Sequence, residues 1–484
     1  MSVLVFRTAT ELAEIIRQKT ASATEVLEAH LQHIARHNSA LNAIVTLDEE
    51  GARQRAREAD AALARGEVWG PLHGVPVTVK DVFETAGLRT TSSFQPLADY
   101  VPQQDATVVA RLRAAGAVLL GKTNMPTLAL DVQSNSPLFG RANNPWDTNR
   151  TPGGSTGGGA AAIAAGLSPL EVGSDIGGSA RIPAHFCGIL ALKTSEHRVS
   201  MAGHIPEPPG APRSVRHMGV VGPLARSVAD LRLALSLIAG EDSRSWEVPP
   251  VSLAAADKRV LQACRIAWSD DFGGAPLSQD TLSVLNAVAE RLAQAGCRVE
   301  QRNPPGFDFE LAWQTWGELL GAEIGASMDR LPRLLTGLQF RMMPDRSILK
   351  RGFLHGLGLN MSQYARVLTR RDGLIAGLEA FLAEWDAWLC PVTAGPAFAH
   401  CKTGQPIEVD GRLVPYFVAN MSYTSVFNMT GCPVVVLPAG RSGEGLPIGL
   451  QLVGRRWRDM ELLAVAEAVA EVTGPFRPPA GYRL

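Results

Sequence analysis

The chain has 484 residues, of which 46% are hydrophobic and 19% are charged, and its formal net charge at pH 7 is −1. This balance supplies no long-range field for nucleic acid or an anionic membrane, so we expect neither as a partner. The six cysteines form no Cys-x-x-Cys pair, which argues against a zinc site and against a disulfide scaffold.

The elements predicted along the chain alternate between helix and strand. Two capping boxes, Thr8-Ala9-Thr10-Glu11 and Ser22-Ala23-Thr24-Glu25, begin surface helices. A strand at 75–79 ends at Lys80. The other elements predicted up to residue 166 are strands at 42–47 and 117–120 and helices at 49–65, 105–115 and 159–166. This alternation predicts an α/β fold with helices on both faces of a sheet.

The chain is not divided by a linker, a repeat or a low-complexity tract, so we predict one domain over 1–484. The segment 305–361 carries large apolar residues in helical spacing, which indicates either core packing, the commoner case, or a lid over the site. The stiff proline-rich loop 205–212 is expected to border the entrance. Because no run approaches 18 apolar residues and the first residues lack signal-peptide features, we expect a cytoplasmic protein.

Two glycine-serine clusters carry the main chemical signal. They are Gly153-Gly154-Ser155-Thr156-Gly157-Gly158 and Gly173-Ser174-Asp175-Ile176-Gly177-Gly178-Ser179. Glycines before Ser179 allow backbone N–H groups to turn toward one point beside its hydroxyl. A hydroxyl is a poor nucleophile until a base removes its proton, and Lys80 is the candidate base.

Two other motif matches fail on physical grounds. Residues 116–123 satisfy the phosphate-loop pattern, but Ala117-Val118-Leu119-Leu120 is typical of a buried strand whose N–H groups belong to a sheet. Residues 153–157 satisfy the Gly-x-Ser-x-Gly pattern of a nucleophile elbow, but turn formers precede them where that motif needs a strand.

Together these residues resemble the amidase signature family of serine hydrolases. The resemblance extends to 121–126, 139–146, 427–433 and 445–451. It implies a large mixed β-sheet flanked by helices on both faces, with a helical, lid-like insertion. It also implies a core over about 70–235, a variable helical segment over about 240–385, and a C-terminal part of the core over 386–484.

The resemblance implies a role for each motif residue. Ser179 corresponds to the nucleophile, Ser155 to a bridging serine with a cis peptide bond, and Lys80 to the base, which must be uncharged to act. The oxyanion is expected to be held by backbone N–H groups of Ile176, Gly177 and Gly178. Asp175 and Arg181 are expected to support the loop, and neither a cofactor nor a metal is expected.

The departures from the family pattern favour an enzyme that acts alone. Thr156, Ile176, Gly159 and Thr127 stand where the family often has other residues. We expect hydrolysis of small hydrophobic amides or carbamates (urethanase activity), and of aryl esters, by a monomer or homodimer. The alternative is the glutamine-hydrolysing A component of an aminoacyl-tRNA amidotransferase complex. The residues suggested for the substrate pocket are Asn124, Leu128, Gln133 and Tyr416.

Overall fold

The computed structural model describes residues 4–205 and 213–482, so most of the predicted entrance loop 205–212 lies outside the described residues. The strands of the described residues are β1 (Ile44–Leu47), β2 (Pro76–Lys80), β3 (Val118–Thr123), β4 (Asn135–Ser136), β5 (Gly140–Arg141), β6 (Leu170–Asp175), β7 (Leu190–Lys193), β8 (Val220–Ala225), β9 (Arg265–Trp268), β10 (Arg298–Gln301), β11 (Ala387–Pro391), β12 (Ile407–Val409), β13 (Arg412–Val414), β14 (Val434–Arg441) and β15 (Pro447–Val453).

The α-helices of the same residues are α1 (Ala9–Arg17), α2 (Ala23–Leu41), α3 (Glu49–Ala64), α4 (Thr107–Ala114), α5 (Gly157–Ala164), α6 (Arg181–Cys187), α7 (Val228–Ile238), α8 (Gln279–Gln294), α9 (Phe309–Ala326), α10 (Arg330–Met342), α11 (Ile348–Gly356), α12 (Met361–Leu382), α13 (Tyr416–Met421), α14 (Ser425–Thr430) and α15 (Asp459–Thr473). Both predicted capping boxes are present, at the first turns of α1 and α2.

Eleven strands form one mixed sheet in the order β1-β3-β2-β6-β8-β7-β14-β15-β11-β9-β10. Strands β3, β2 and β6 run parallel, as do β11, β9 and β10, whereas the strands between them pair antiparallel. The predicted strand that mimics a phosphate loop is β3, which is buried and paired with β1 and β2. Its N–H groups therefore serve the sheet.

Helices cover both faces of the sheet, and β14 shows the reason. Its side chains alternate between two apolar cores: Val435 and Leu437 belong to one, and Val434 and Val436 to the other. A strand buried on both faces needs apolar residues at successive positions, and β14 supplies them. The mixed α/β fold predicted from the sequence is confirmed.

The segment 305–361 divides between the two predicted roles. Trp313, Trp316 and Leu319 of α9 are buried, as is Phe353 of α11. These two helices pack closely because Gly317 and Gly321 of α9 face Gly352 and Gly356 of α11. The core interpretation therefore holds for α9 and α11.

Helix α10 differs from its neighbours because its apolar residues are exposed. Those more than half exposed are Leu331, Leu334, Leu335, Leu338 and Met342. Its Phe340 turns inward and stacks on Phe353 of α11. Among the helices of the described residues, none combines the length and apolar character that a bilayer crossing requires.

The close approach of α9 and α11 makes a testable prediction. A Cβ atom added at Gly317 would lie 2.5 Å from the Leu349 carbonyl oxygen, a backbone atom that cannot move aside without shifting α11. We expect Gly317→Ala to lower the free energy of unfolding by about 1–3 kcal/mol. The measurement is the melting temperature followed by circular dichroism.

The matched control is Gly373→Ala in α12. This helical glycine is exposed, and among the described residues no atom would lie within 4 Å of its added Cβ. Since alanine loses less backbone entropy than glycine on folding, this variant should raise stability by about 0.5–1 kcal/mol. A stabilised Gly317→Ala variant would contradict the packing argument.

Candidate active site

The site forms where two adjacent parallel strands end. β2 ends at Lys80 and β6 ends at Asp175, and the two strands are paired in parallel. Because carboxyl ends of parallel strands meet at one edge of a sheet, both residues lie beside the glycine-serine loops. The backbone N–H of Thr156 donates to the Ser179 carbonyl at 3.0 Å, which joins the two loops directly.

Lys80 is fully buried and contacts hydroxyl groups. Its Nζ lies 2.7 Å from Ser155 Oγ and 3.1 Å from Ser174 Oγ. Burial lowers the pKa of the Lys80 amine to about 7, against the opposing effect of the negative charges of Asp175 and Glu171. The uncharged lysine that the resemblance requires is thus available near neutral pH.

Ser155 follows a cis peptide bond between Gly154 and Ser155, as the resemblance implied. The preceding Gly153 has φ +87°, and a Cβ there would lie 2.9 Å from Pro183 Cα. Ser134 Oγ donates to the Gly153 carbonyl and accepts from the Gly157 N–H, both at 3.0 Å. The loop that carries Ser155 is therefore held from both sides.

The Asp175–Arg181 pair holds the loop around Ser179. Arg181 Nε and Nη2 donate to the two Asp175 oxygens at 3.0 and 2.9 Å, and both side chains are buried. Burial alone raises the pKa of the Asp175 carboxyl, but the Arg181 guanidinium holds it well below its usual range. Arg181 Nη1 also donates to the Thr424 carbonyl at 3.0 Å. The pair therefore supports the loop as predicted.

The oxyanion donors differ in one respect from the prediction. The Gly178 N–H donates to Asp175 Oδ1 at 2.8 Å, so this group is directed at the carboxylate. The Ile176 carbonyl accepts from Trp316 Nε1 at 2.8 Å, and the Gly177 carbonyl accepts from Thr424 Oγ1 at 2.7 Å. Among the described residues, the N–H groups of Ile176 and Gly177 have no acceptor, and they remain candidate donors to an oxyanion.

Ser179 opens into a cleft with two lobes that share Leu130, Ile176 and Leu320. The first lobe also contacts Ser155 and carries charged residues at 213, 216 and 247. The second lobe is apolar, and its walls include Trp316, Leu320, Phe340, Phe353, Phe417 and Met421. Helices α9, α10 and α11 thus form one side of the cleft.

Only one of the four suggested pocket residues lines the cleft, namely Leu128. The amide of Asn124 instead donates to the carbonyls of Asn42 and Gly140 at 3.0 and 3.1 Å. Gln133 Nε2 donates to Tyr416 Oη at 3.1 Å, and that hydroxyl donates to Asp131 at 2.6 Å. These three side chains hold the scaffold, outside the two lobes described.

Sequence reasoning missed several residues that shape the site. Ser174 contacts the Lys80 amine, and Trp316 and Thr424 bind the carbonyls of the oxyanion loop. Asn428 Nδ2 donates to the Asp175 carbonyl at 3.1 Å. Ser174 and Asn428 lie inside recognised motifs and could have been chosen on that signal, whereas the role of Trp316 has no local signal.

Comparison with known proteins places these features in a family. The family model named Amidase matches residues 25–463. The chain is 33% identical to the A component of the glutamyl-tRNA(Gln) amidotransferase of Moorella thermoacetica, over 97% of each chain. A solved amidase is 30% identical with a TM-score of 0.81, covering 97% of this chain and 100% of that one. A bacterial aryl acylamidase is 25% identical with a TM-score of 0.83, covering 99% and 98%.

The chain therefore belongs to the amidase family. It is an amidase signature enzyme, a hydrolase of amides. The α/β fold, the mixed sheet and the family suggested by the sequence are all confirmed.

The prediction about partners is wrong. A small-molecule substrate for a monomer or homodimer, with no nucleic acid, was expected from the near-neutral charge and the departures from the family pattern. The Moorella thermoacetica relative is by name one component of a larger enzyme and is named for a tRNA, as is the relative from Salinispora tropica. Net charge failed as a guide because it neither locates charges on a surface nor excludes a partner chain.

The contacts of α9 generate a prediction about the oxyanion loop. Trp316→Phe keeps an aromatic ring but removes the hydrogen bond to the Ile176 carbonyl. We expect it to slow the modification of Ser179 by a fluorophosphonate roughly five- to tenfold. The measurement is the second-order rate of labelling, followed by intact-protein mass spectrometry.

Trp313→Phe is the matched control. Trp313 lies on the same helix, is equally buried and donates to the Ser422 carbonyl at 2.9 Å, away from the oxyanion loop. It should change the labelling rate much less. Equal losses in both variants would show that these bonds support the fold alone.

Proposed function

We propose that the chain hydrolyses amide C–N bonds through an acyl-enzyme on Ser179, with Ser155 as the bridge and Lys80 as the base. One observation carries the proposal: a fully buried lysine amine lies 2.7 Å from a serine hydroxyl that shares the cleft with Ser179. An uncharged amine at this distance can accept the Ser155 proton.

The reaction then proceeds in two halves. Lys80 accepts the proton of Ser155 as Ser155 accepts that of Ser179, and Ser179 Oγ forms a bond with the amide carbonyl carbon. The oxyanion forms opposite the N–H groups of Ile176 and Gly177. The C–N bond breaks as the nitrogen takes the proton back through the same relay. Water next attacks the ester carbon, and Ser179 regains its hydrogen as the acid leaves.

The lysine base predicts a pH dependence with a definite sign. Only uncharged Lys80 can accept a proton, and its pKa is about 7. The rate of Ser179 labelling should therefore fall about tenfold per pH unit below pH 7 and reach a plateau above it. The measurement is the fluorophosphonate rate between pH 5.5 and 9, with circular dichroism to verify the fold at each pH.

Variants of the three residues provide the control. Ser179→Ala should lose labelling entirely, and Lys80→Ala should slow it roughly 10²- to 10⁴-fold. A pH-independent rate in the folded protein, or a Lys80→Ala variant that labels as fast as the original, would exclude a lysine base.

For the amide itself, we propose the side chain of glutamine, hydrolysed by this chain as the A component of an aminoacyl-tRNA amidotransferase. The support is the match to such components at 32–33% identity over nearly the whole chain. The first lobe also carries charges of both signs, because Arg213 and Arg216 lie 2.7 and 2.6 Å from Glu247. A zwitterionic amino acid needs such a pair of opposite charges.

A second candidate is a small amide or carbamate with an apolar group. The observation in its favour is the second lobe, whose walls are aromatic and aliphatic beside Ser179. Burial of such a group gains about 25 cal/mol per Å² of apolar surface. Ammonia release from glutamine, against aniline release from a hydrophobic anilide, separates the two candidates, with Ser179→Ala as the blank in each assay.

The charged lobe predicts which variant distinguishes these substrates. Glu247→Gln removes the carboxylate that would receive the glutamine ammonium group, so it should raise KM for glutamine roughly tenfold or more. The same variant should leave KM for an apolar anilide within about twofold, since that substrate carries no charge. Steady-state kinetics on both substrates provide the test.

Leu320→Ala is the converse control, because Leu320 lines both lobes and offers only apolar contact. It should weaken the anilide more than glutamine. If Glu247→Gln leaves glutamine kinetics unaltered, this lobe does not bind the amino acid.

A further inference from the structure

A buried carboxyl group, Glu171, lies on the same face of the sheet as the catalytic lysine. Glu171 of β6 is paired in register with Thr78 of β2, and Lys80 is two residues beyond Thr78. Because side chains of a strand alternate between faces, Thr78, Lys80 and Glu171 project to one side. Glu171 is fully buried, and sequence reasoning gave it no role.

Glu171 has few partners for a buried acid. Thr123 Oγ1 donates to its Oε1 at 2.6 Å. Within the described residues, Oε2 has no partner in good hydrogen-bond geometry, although the Thr78 hydroxyl is near enough to lower the pKa of the carboxyl. No cation of these residues is directly paired with it. Burial of a charge without a direct partner costs free energy, so its retention here calls for a reason.

The helix that covers the site makes room for this carboxyl group. A Cβ added at Gly159, in the first turn of α5, would lie 2.6 Å from both Cγ and Oε1 of Glu171. Gly159 is one of the departures from the family pattern noted in the sequence. Glycine at 159 is thus required by glutamate at 171.

We propose that Glu171 is a positioning residue for Lys80: its carboxylate stabilises the ammonium form of the lysine and so sets the pH below which Lys80 stops acting as a base. This inference rests on the proposed function of Lys80. It adds a residue that touches neither Ser155 nor the cleft.

The charges around the lysine support this assignment. Two acids act on Lys80, Asp175 and Glu171, and Asp175 is already paired with Arg181. Lys122 also acts on Glu171, but its amine is committed to the Phe83 carbonyl and to two threonine hydroxyls. His204 is the other titratable group that experiences the charge of Lys80, and burial keeps that imidazole neutral. The charge of Glu171 is therefore the one not cancelled by a direct partner.

The two groups titrate in the same range. Burial raises the pKa of Glu171 to about 7, and it lowers the pKa of Lys80 to about 7. Removal of the proton from Glu171 makes the nearby ammonium more stable, and loss of the negative charge makes it less stable. Removing the carboxylate should therefore keep Lys80 uncharged to lower pH.

The test is Glu171→Gln, which keeps an acceptor for Thr123 but carries no charge. We expect the pH of half-maximal fluorophosphonate labelling of Ser179 to fall by about one unit. Glu171→Asp, which restores the charge, should return this midpoint toward that of the original chain. A residue that only fills space would change the plateau rate and leave the midpoint in place, and that result would overturn the proposal.

Failure of the proposed function gives a different result. If Ser179→Ala still labels, or if the original chain shows no acid limb, the lysine relay itself is wrong. If both controls behave as expected and Glu171→Gln keeps the original midpoint, only the role of Glu171 is wrong.

A stability measurement tests the fit between 159 and 171 without activity. Gly159→Ala should lower the melting temperature in the original chain and lower it much less in a Glu171→Ala background, where the space is free. Equal losses in both backgrounds would show that Glu171 is not what excludes a side chain at 159.

Discussion

The buried ion pair between Asp175 and Arg181 is the interaction on which the site depends. Asp175 ends β6 and Arg181 begins α6, so the pair closes the loop that carries Ser179. Asp175 also receives the Gly178 N–H, and Arg181 reaches the Thr424 carbonyl and Gln451. Breaking a buried pair leaves an uncompensated charge, at a cost of about 3–5 kcal/mol. The loop therefore has one stable arrangement, with the nucleophile at its end.

Burial gives the site its base. Lys80 loses its charge near neutral pH because water is excluded around it, and that exclusion comes from a helix whose first turn is glycine. Gly158 approaches the backbone of Asn124, and Gly159 approaches Glu171, so any side chain at either position would push α5 off the sheet. The chemistry of the lysine is thus a consequence of close packing between α5 and the strands below it.

The cleft combines a charged lobe with an apolar lobe, and this explains why family and composition suggest different substrates. The charges of the first lobe suit an amino acid, whereas α9 and α11 supply aromatic walls to the second. A catalytic core shared across the family fixes the bond that is cut, and the walls determine which molecule presents it.

The sequence by itself determined the mixed α/β fold, the order of Lys80, Ser155 and Ser179, and the support of the loop by Asp175, because each is encoded by local pattern or by short motifs. Only the tertiary structure decided that Gly178 donates to Asp175, that Asn124, Gln133 and Tyr416 hold the scaffold, and that 305–361 divides into two core helices and an exposed one. The physical reason is distance along the chain. Trp316 orients the Ile176 carbonyl from 140 residues away, and no periodicity or spacing records a contact that arises only when separate elements pack together.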